Sequence, residues 1–310
     1  METKSIQITC DDGVQLAGEL FIPERPKAVV QFNPGTAAKR GPYRKFLTYL
    51  AEQGFLCCIY DYRGFGLSRE GSLKHSEITY SDFGTKDMPA VKSWLQANYP
   101  TLPFLMVAHS AGGQQLGFMP DLSGVHGAIT LGVSAAHFKA LPLVYRLQGL
   151  YFWYGVVPVS NLIAGYVAAA RFGIMEDLPK LMSLEWRSWC SAPDYFFDAK
   201  FYGVTVPIGH FKSFGFPIHN YHATDDAIAT PTNIRNFWKH VESSEAITFE
   251  TIRPESVGLQ RLDHFGYFKG VMKDTLWQDI ARRLDTLLEA EKSSVGSELS
   301  LDSESTEAID

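Results

Sequence analysis

Eight short apolar runs, most of them separated by stretches of helical spacing, constrain this chain more than any other feature. Residues 5–10 and 14–22 alternate polar and apolar, and the turn Asp11-Asp12-Gly13 joins them as a hairpin. Further runs follow at 28–32, 55–60, 102–108, 125–132, 217–223 and 246–252. Several of these are apolar without alternation, as strands covered on both faces must be. Between them, residues 42–53 place Phe46, Tyr49 and Leu50 on one helical face, with Gly54 as the stop. Residues 81–98 read as a helix with Ser81 as N-cap. Helices are also expected from Gly112, from Pro231 and over 273–290. Strands alternating with helices predict an α/β fold: a mostly parallel eight-stranded sheet flanked by helices.

Residues 135–214 break that rhythm. The block is rich in aromatics, among them Tyr151, Phe152, Trp153, Trp186 and Trp189, and reads as an inserted helical cap. The expected organisation is therefore a core of 1–134 and 215–290, a cap of 135–214, and a disordered acidic tail over 291–310. Residues 147–170 carry no charge and have the length of a membrane span. Pro158, Ser160 and Asn161 interrupt them, so they read as part of the cap. A formal net charge of -6 excludes the basic field of a nucleic-acid-binding protein. Cys10, Cys57, Cys58 and Cys190 show no metal-binding spacing and read as reduced thiols. The N-terminus lacks the pattern of a secretory signal, so the expected location is cytoplasmic.

The sharpest chemical signal is Ala108-His109-Ser110-Ala111-Gly112-Gly113, which follows an apolar strand and opens a helix. Small residues at 108 and 112 allow the tight strand-to-helix turn that presents a serine nucleophile. A hydroxyl needs a base within hydrogen-bond reach. Of nine histidines, His264 alone lies between the last strand and the last helix. The acid that orients it is expected after the seventh strand, in His222-Ala223-Thr224-Asp225-Asp226, with Asp226 preferred to Asp225 and Asp263. Backbone amides of Ala111 and Thr36 would hold an oxyanion.

The segments NPGTAAKRGPYRKF, DYRGFGLS, VAHSAGGQ, DDAIATP and DHFGYF together resemble the α/β-hydrolase superfamily. They are most similar to its serine aminopeptidase-like branch, which also contains monoacylglycerol lipases. GIMEDLP and LEWRSWCSAPDYFFD are similar to a bacterial subgroup of that superfamily. The resemblance spans nearly all of residues 5–289. It implies the α/β-hydrolase fold, a triad of Ser110, Asp226 and His264, and oxyanion donors Thr36 and Ala111. Three positions depart from the pattern: Ala108 for glycine, Pro34 for histidine and Ala223 for glycine.

The expected activity is hydrolysis of a carboxylic ester through an acyl-enzyme, with an apolar acyl chain bound against Tyr151, Phe152, Trp153 and Trp186. No metal or organic cofactor, nucleic acid or protein partner is implied. A small ester or lipid-like molecule is the expected partner, with transient contact between cap and membrane surface. An aminopeptidase or amidase is the alternative enzyme; a hydrolase-fold binding protein with little turnover is the alternative outside catalysis.

Overall fold

A computed structural model describes residues 1–173 and 175–289. Eight strands form one sheet: β1 (Glu2–Thr9), β2 (Gln15–Ile22), β3 (Ala28–Asn33), β4 (Phe55–Tyr60), β5 (Phe104–His109), β6 (Val125–Leu131), β7 (Ile218–Ala223) and β8 (Ile247–Ile252). Their order is β1-β2-β4-β3-β5-β6-β7-β8. The β1–β2 and β2–β4 pairs are antiparallel, and all later pairs are parallel. The α/β expectation and its eight strands are met.

Helices α1 (Arg44–Glu52), α2 (Met88–Asn98), α3 (Ala111–Gln114) and α7 (Pro231–Trp238) connect strands of the sheet, and a last helix, α8, spans 278–289. On one face of the sheet, α1 buries Phe46, Leu47 and Leu50 against Val30, Phe32, Cys57 and Ile59. Each such side chain contributes about 1.5–3 kcal/mol by leaving water. The other face carries Val29, Cys58, Met106 and Ala108, covered by Met88, Val91 and Leu95 of α2. Cys57 and Cys58 thus lie in opposite cores, as the period of a strand requires, and all four cysteines are free and buried.

The helix expected from Ser81 begins differently. Ser81 is not its N-cap: its hydroxyl is turned to Glu185, and a wide turn over Phe83–Asp87 precedes α2. Asp87 at that junction is fully buried and ion-paired with Arg63, which also reaches Asp12 in the β1–β2 turn.

Between β6 and β7 the chain makes no strand of the sheet. It forms α4 (Leu143–Tyr151), a wide turn over Phe152–Val156 and α5 (Val157–Ala164), together one continuous helix, followed by α6 (Lys180–Ser191). Glu185 of α6 accepts the backbone N–H groups of Tyr80 and Ser81, at 2.6 and 3.2 Å. These bonds fasten the insertion to the segment ahead of α2. No helix among the described residues is long and apolar enough to cross a membrane. The expected tail, 291–310, lies outside the described residues.

Candidate active site

The parallel strands place several chain segments at one edge of the sheet. Asn33 of β3 pairs with Ala108 of β5, and His109 pairs with Leu131 of β6. Leu131 in turn pairs with Tyr221 of β7. The loops that leave β3, β5, β6 and β7 therefore start side by side, where sheets of this type build their sites.

Ser110 follows β5 with φ 50° and ψ −117°, a conformation that non-glycine residues rarely adopt. Its amide is held by Leu131 O at 2.9 Å, and its carbonyl accepts the amides of Gly113 and Gln114. The turn is tight: a Cβ on Gly112 would lie 2.1 Å from Asn33 O, and one on Gly113 2.2 Å from Val133 Cγ2. Ala108 is completely buried beneath this turn, so a methyl group is accommodated where the resembling pattern has glycine. Ala111 is the first residue of α3, and its N–H has no intrahelical acceptor.

Asp226 is buried, and its Oδ2 lies 2.7 Å from His264 Nδ1. Its Oδ1 accepts the amides of Ile228 and Ala229, both at 2.9 Å. Burial opposes its ionisation, but His264 and these two amides outweigh burial and hold the carboxyl below its ordinary range. Tyr267 OH, 3.5 Å from Oδ2, accepts the amide of Ala223. A carboxylate on Nδ1 fixes the proton there and leaves Nε2 bare, the state a general base needs.

Asp225, the rival acid, points elsewhere. It accepts the amides of Leu262 and Asp263 and so grips the loop ahead of His264. Asp263 pairs with exposed Arg261. Gly132, at φ +62°, lies against the His264–Asp226 pair: a Cβ there would be 3.2 Å from His264 Cε1 and 3.3 Å from Asp226 Oδ2. Among the described residues no hydrogen bond joins Ser110 Oγ to His264 Nε2, and no group of three His, Cys, Asp or Glu side chains is placed to hold a metal.

Thr36 lies in the loop after β3, and its hydroxyl bonds Tyr80 OH. Tyr80 rests against Trp186 and Trp189 of α6, with ring centroids 5.1 and 5.2 Å away. Trp153 is buried with its ring 5.0 Å from Trp186, and Phe152 is half-buried. Tyr151, also expected at the pocket, differs from its two neighbours. It is 73% exposed at the end of α4 while Trp153 is buried, since neighbours on a helix project about 100° apart.

His109 is a residue whose part the sequence did not disclose. It is fully buried: Nδ1 lies 2.9 Å from Tyr43 OH, and Nε2 lies 2.8 Å from the backbone oxygen of His264. Burial first, and the nearby His264 second, push its pKa down to about 3, so its imidazole is neutral. Tyr43, Tyr267 and Gly132 were likewise silent, since nothing in their spacing reports contacts made across the fold.

Residues 24–133 match the family model described as serine aminopeptidase, S33. No curated protein matches the chain. Among solved structures, a soluble variant of monoglyceride lipase from Saccharomyces cerevisiae, in complex with a substrate analog, superposes with a TM-score of 0.63 at 14% identity, covering 92% of this chain and 96% of that one. A thermostable carboxyl esterase from Bacillus coagulans gives 0.60 at 15% identity, covering 93% and 99%. The esterase domain of a Rhodothermus marinus protein gives 0.53 at 17% identity, covering 91% and 99%. The chain thus has the fold that these esterases and lipases share, and its residues 24–133 are similar to the serine aminopeptidase family.

Proposed function

We propose that the chain is a serine hydrolase that cleaves carboxylic esters through an acyl-enzyme on Ser110. The observation that carries this reading is the conjunction of Ser110 in its strained turn after β5 with the His264–Asp226 pair, 2.7 Å apart, on the neighbouring loops. His264 Nε2 takes the proton of Ser110 Oγ as the hydroxyl attacks the substrate carbonyl. The amides of Ala111 and Thr36 receive the oxyanion, and Nε2 returns the proton to the leaving alkoxide. Water, deprotonated by the same nitrogen, releases the carboxylic acid and frees Ser110. The contact between Oγ and Nε2 closes when substrate engages, since such bonds are often long in free enzymes.

Residues 135–214 act as a cap in this reading, and the acyl chain lies against its inner aromatics, Phe152, Trp153 and Trp186. Its outer side suits a membrane surface. Along the helix from 143 to 164, Leu143, Leu147, Tyr151, Leu162 and Ile163 are exposed, Leu162 at 86%. Residues 122–175 contain no acidic side chain, while Lys139, Arg146 and Arg171 are cationic, a balance that favours anionic lipid. The aminopeptidase reading draws on the family description alone. The carboxylate on the cap that reaches Tyr80, Glu185, is already engaged by backbone N–H groups instead of standing free for a substrate ammonium.

A p-nitrophenyl ester series from acetyl to decanoyl, run with wild type and Ser110→Ala, tests the reading. Turnover that rises with chain length and vanishes in the variant supports it. Aminoacyl amides cleaved in preference to all esters would replace it with the peptidase. Acetyl esters far outrunning octanoyl esters would remove the apolar acyl chain.

A further inference from the structure

We propose that His109 is a positioning residue that locks the base loop and the oxyanion loop to the nucleophile turn; the proposal rests on the serine-hydrolase reading. The backbone oxygen of His264 can only accept, so His109 Nε2, 2.8 Å away, carries the proton. In a neutral imidazole Nδ1 is then the acceptor, and Tyr43 OH, 2.9 Å away, must donate its single proton there. The tyrosine oxygen keeps a lone pair for Gly35 N–H, which points to it at 3.1 Å.

Every role in this chain of three bonds is therefore fixed in one sense, from the amide of Gly35 through Tyr43 and His109 to the carbonyl of His264. It joins the loop after β3, the residue next to Ser110 and the loop that carries the base. Those contacts span 66 and 155 residues of sequence.

The surroundings support a dedicated arrangement. Tyr43 and His109 are both fully buried, so water does not compete for these bonds. Phe268 packs edge-on against both rings, with centroids 4.6 Å from Tyr43 and 5.0 Å from His109. Gly35 completes the fit, because a Cβ there would lie 2.9 Å from His109 Nδ1 and 3.3 Å from Tyr43 OH. The ring of His109 stands 4.9 Å from that of His264. As a neutral neighbour it leaves the imidazolium that forms on His264 during catalysis unopposed by a second positive charge.

The experiment uses the full chain with a p-nitrophenyl ester, and counts competent sites with a fluorophosphonate. His109→Phe keeps a ring and loses both bonds. Misplacement of the base and of one oxyanion donor should lower kcat about 30- to 100-fold with KM changed less than about threefold. Fluorophosphonate should still titrate the full complement of sites. Tyr43→Phe should cost about tenfold, and the double variant no more than His109→Phe alone, because both act through one chain. His109→Gln, whose amide can donate to His264 O and accept from Tyr43, should recover most of the rate. In nitrogen-15 spectra, His109 should remain the neutral Nε2–H tautomer from pH 5 to 9.

A kcat for His109→Phe within about threefold of wild type would overturn the proposal, as would a loss matched by a fall in titratable sites. An Nδ1–H tautomer at His109 would overturn it whatever the activity. A wild type that shows the expected tautomer but neither turns over nor labels would overturn the hydrolase reading, and the positioning role with it.

Discussion

Replacing Asp226 with Asn changes one atom and should disable the site while sparing the fold. Oδ1 accepts two backbone N–H groups at 2.9 Å, so in the amide this position must remain oxygen. The amide nitrogen is thereby forced toward His264 Nδ1, 2.7 Å away in the wild type. Two donors cannot share that contact, so His264 shifts to its other tautomer and carries its proton on Nε2. A protonated Nε2 cannot accept from Ser110. The loss of the base, together with the loss of the carboxylate that stabilises the imidazolium, is worth about 10³- to 10⁴-fold in kcat, or about 4–5.5 kcal/mol. Stability should move by no more than about 1–2 kcal/mol, because the two backbone bonds survive. Ester turnover at saturating substrate, with thermal unfolding of the same preparation, checks both halves. An Asp226→Asn variant retaining a tenth or more of wild-type kcat would refute the assignment and return Asp225 to consideration.

Three further outcomes follow from single contacts. Gly112→Ala puts a methyl group 2.1 Å from the backbone oxygen of Asn33, so the variant should lose about 2–4 kcal/mol in denaturant unfolding together with ester turnover. Burial pushes the Glu185 carboxyl up to about 7, so the fold holds its proton more tightly than the unfolded chain does and loses that advantage as pH rises from the ordinary glutamate range to about 7. Glu185→Gln should erase this contribution, and its Tm relative to wild type should climb across that window; a pH-independent difference would count against it. Paired substitutions Leu162→Glu and Ile163→Glu, at exposed positions, should abolish co-sedimentation with anionic phosphatidylglycerol vesicles and leave turnover of short soluble esters unchanged. A wild type that stays in the supernatant would remove the membrane contact.

The strands were legible because burial on both faces leaves its mark on every residue of a run, as in Phe55–Tyr60 and Phe104–His109. The strained turn at Ser110 was legible for a local reason: a serine between small residues, after a buried run and before a helix, marks a tight strand-to-helix turn. His264 and Asp226 were expected from order along the chain, since each follows a strand in a sheet whose edge collects such loops, and the structure brings the two side chains to 2.7 Å. The tie through His109 was invisible, because its partners at Tyr43 and His264 come together only once β3, β5 and the loop after β8 are placed. Sequence preferred Asp226 to Asp225 but could not show what divides them, for the same reason: the amides of Leu262 and Asp263 claim Asp225, and the imidazole of His264 claims Asp226. Composition marks the segment around Tyr151 as aromatic without saying which of its rings are buried, and Tyr151 is exposed where Trp153 is covered. Ser81 failed because Glu185, more than a hundred residues later, takes the hydroxyl that a cap would have used.

The central claim is that His264 activates Ser110 for attack, and a fluorophosphonate probe tests it most directly, since the reagent needs an activated serine and no knowledge of the substrate. Purified wild type, Ser110→Ala and His264→Ala would be treated side by side, and the adduct located by mass spectrometry. The account predicts one adduct per chain, on Ser110, absent from Ser110→Ala and slowed at least a hundredfold in His264→Ala. Labelling of wild type at another residue, or at equal rates with and without His264, would contradict it.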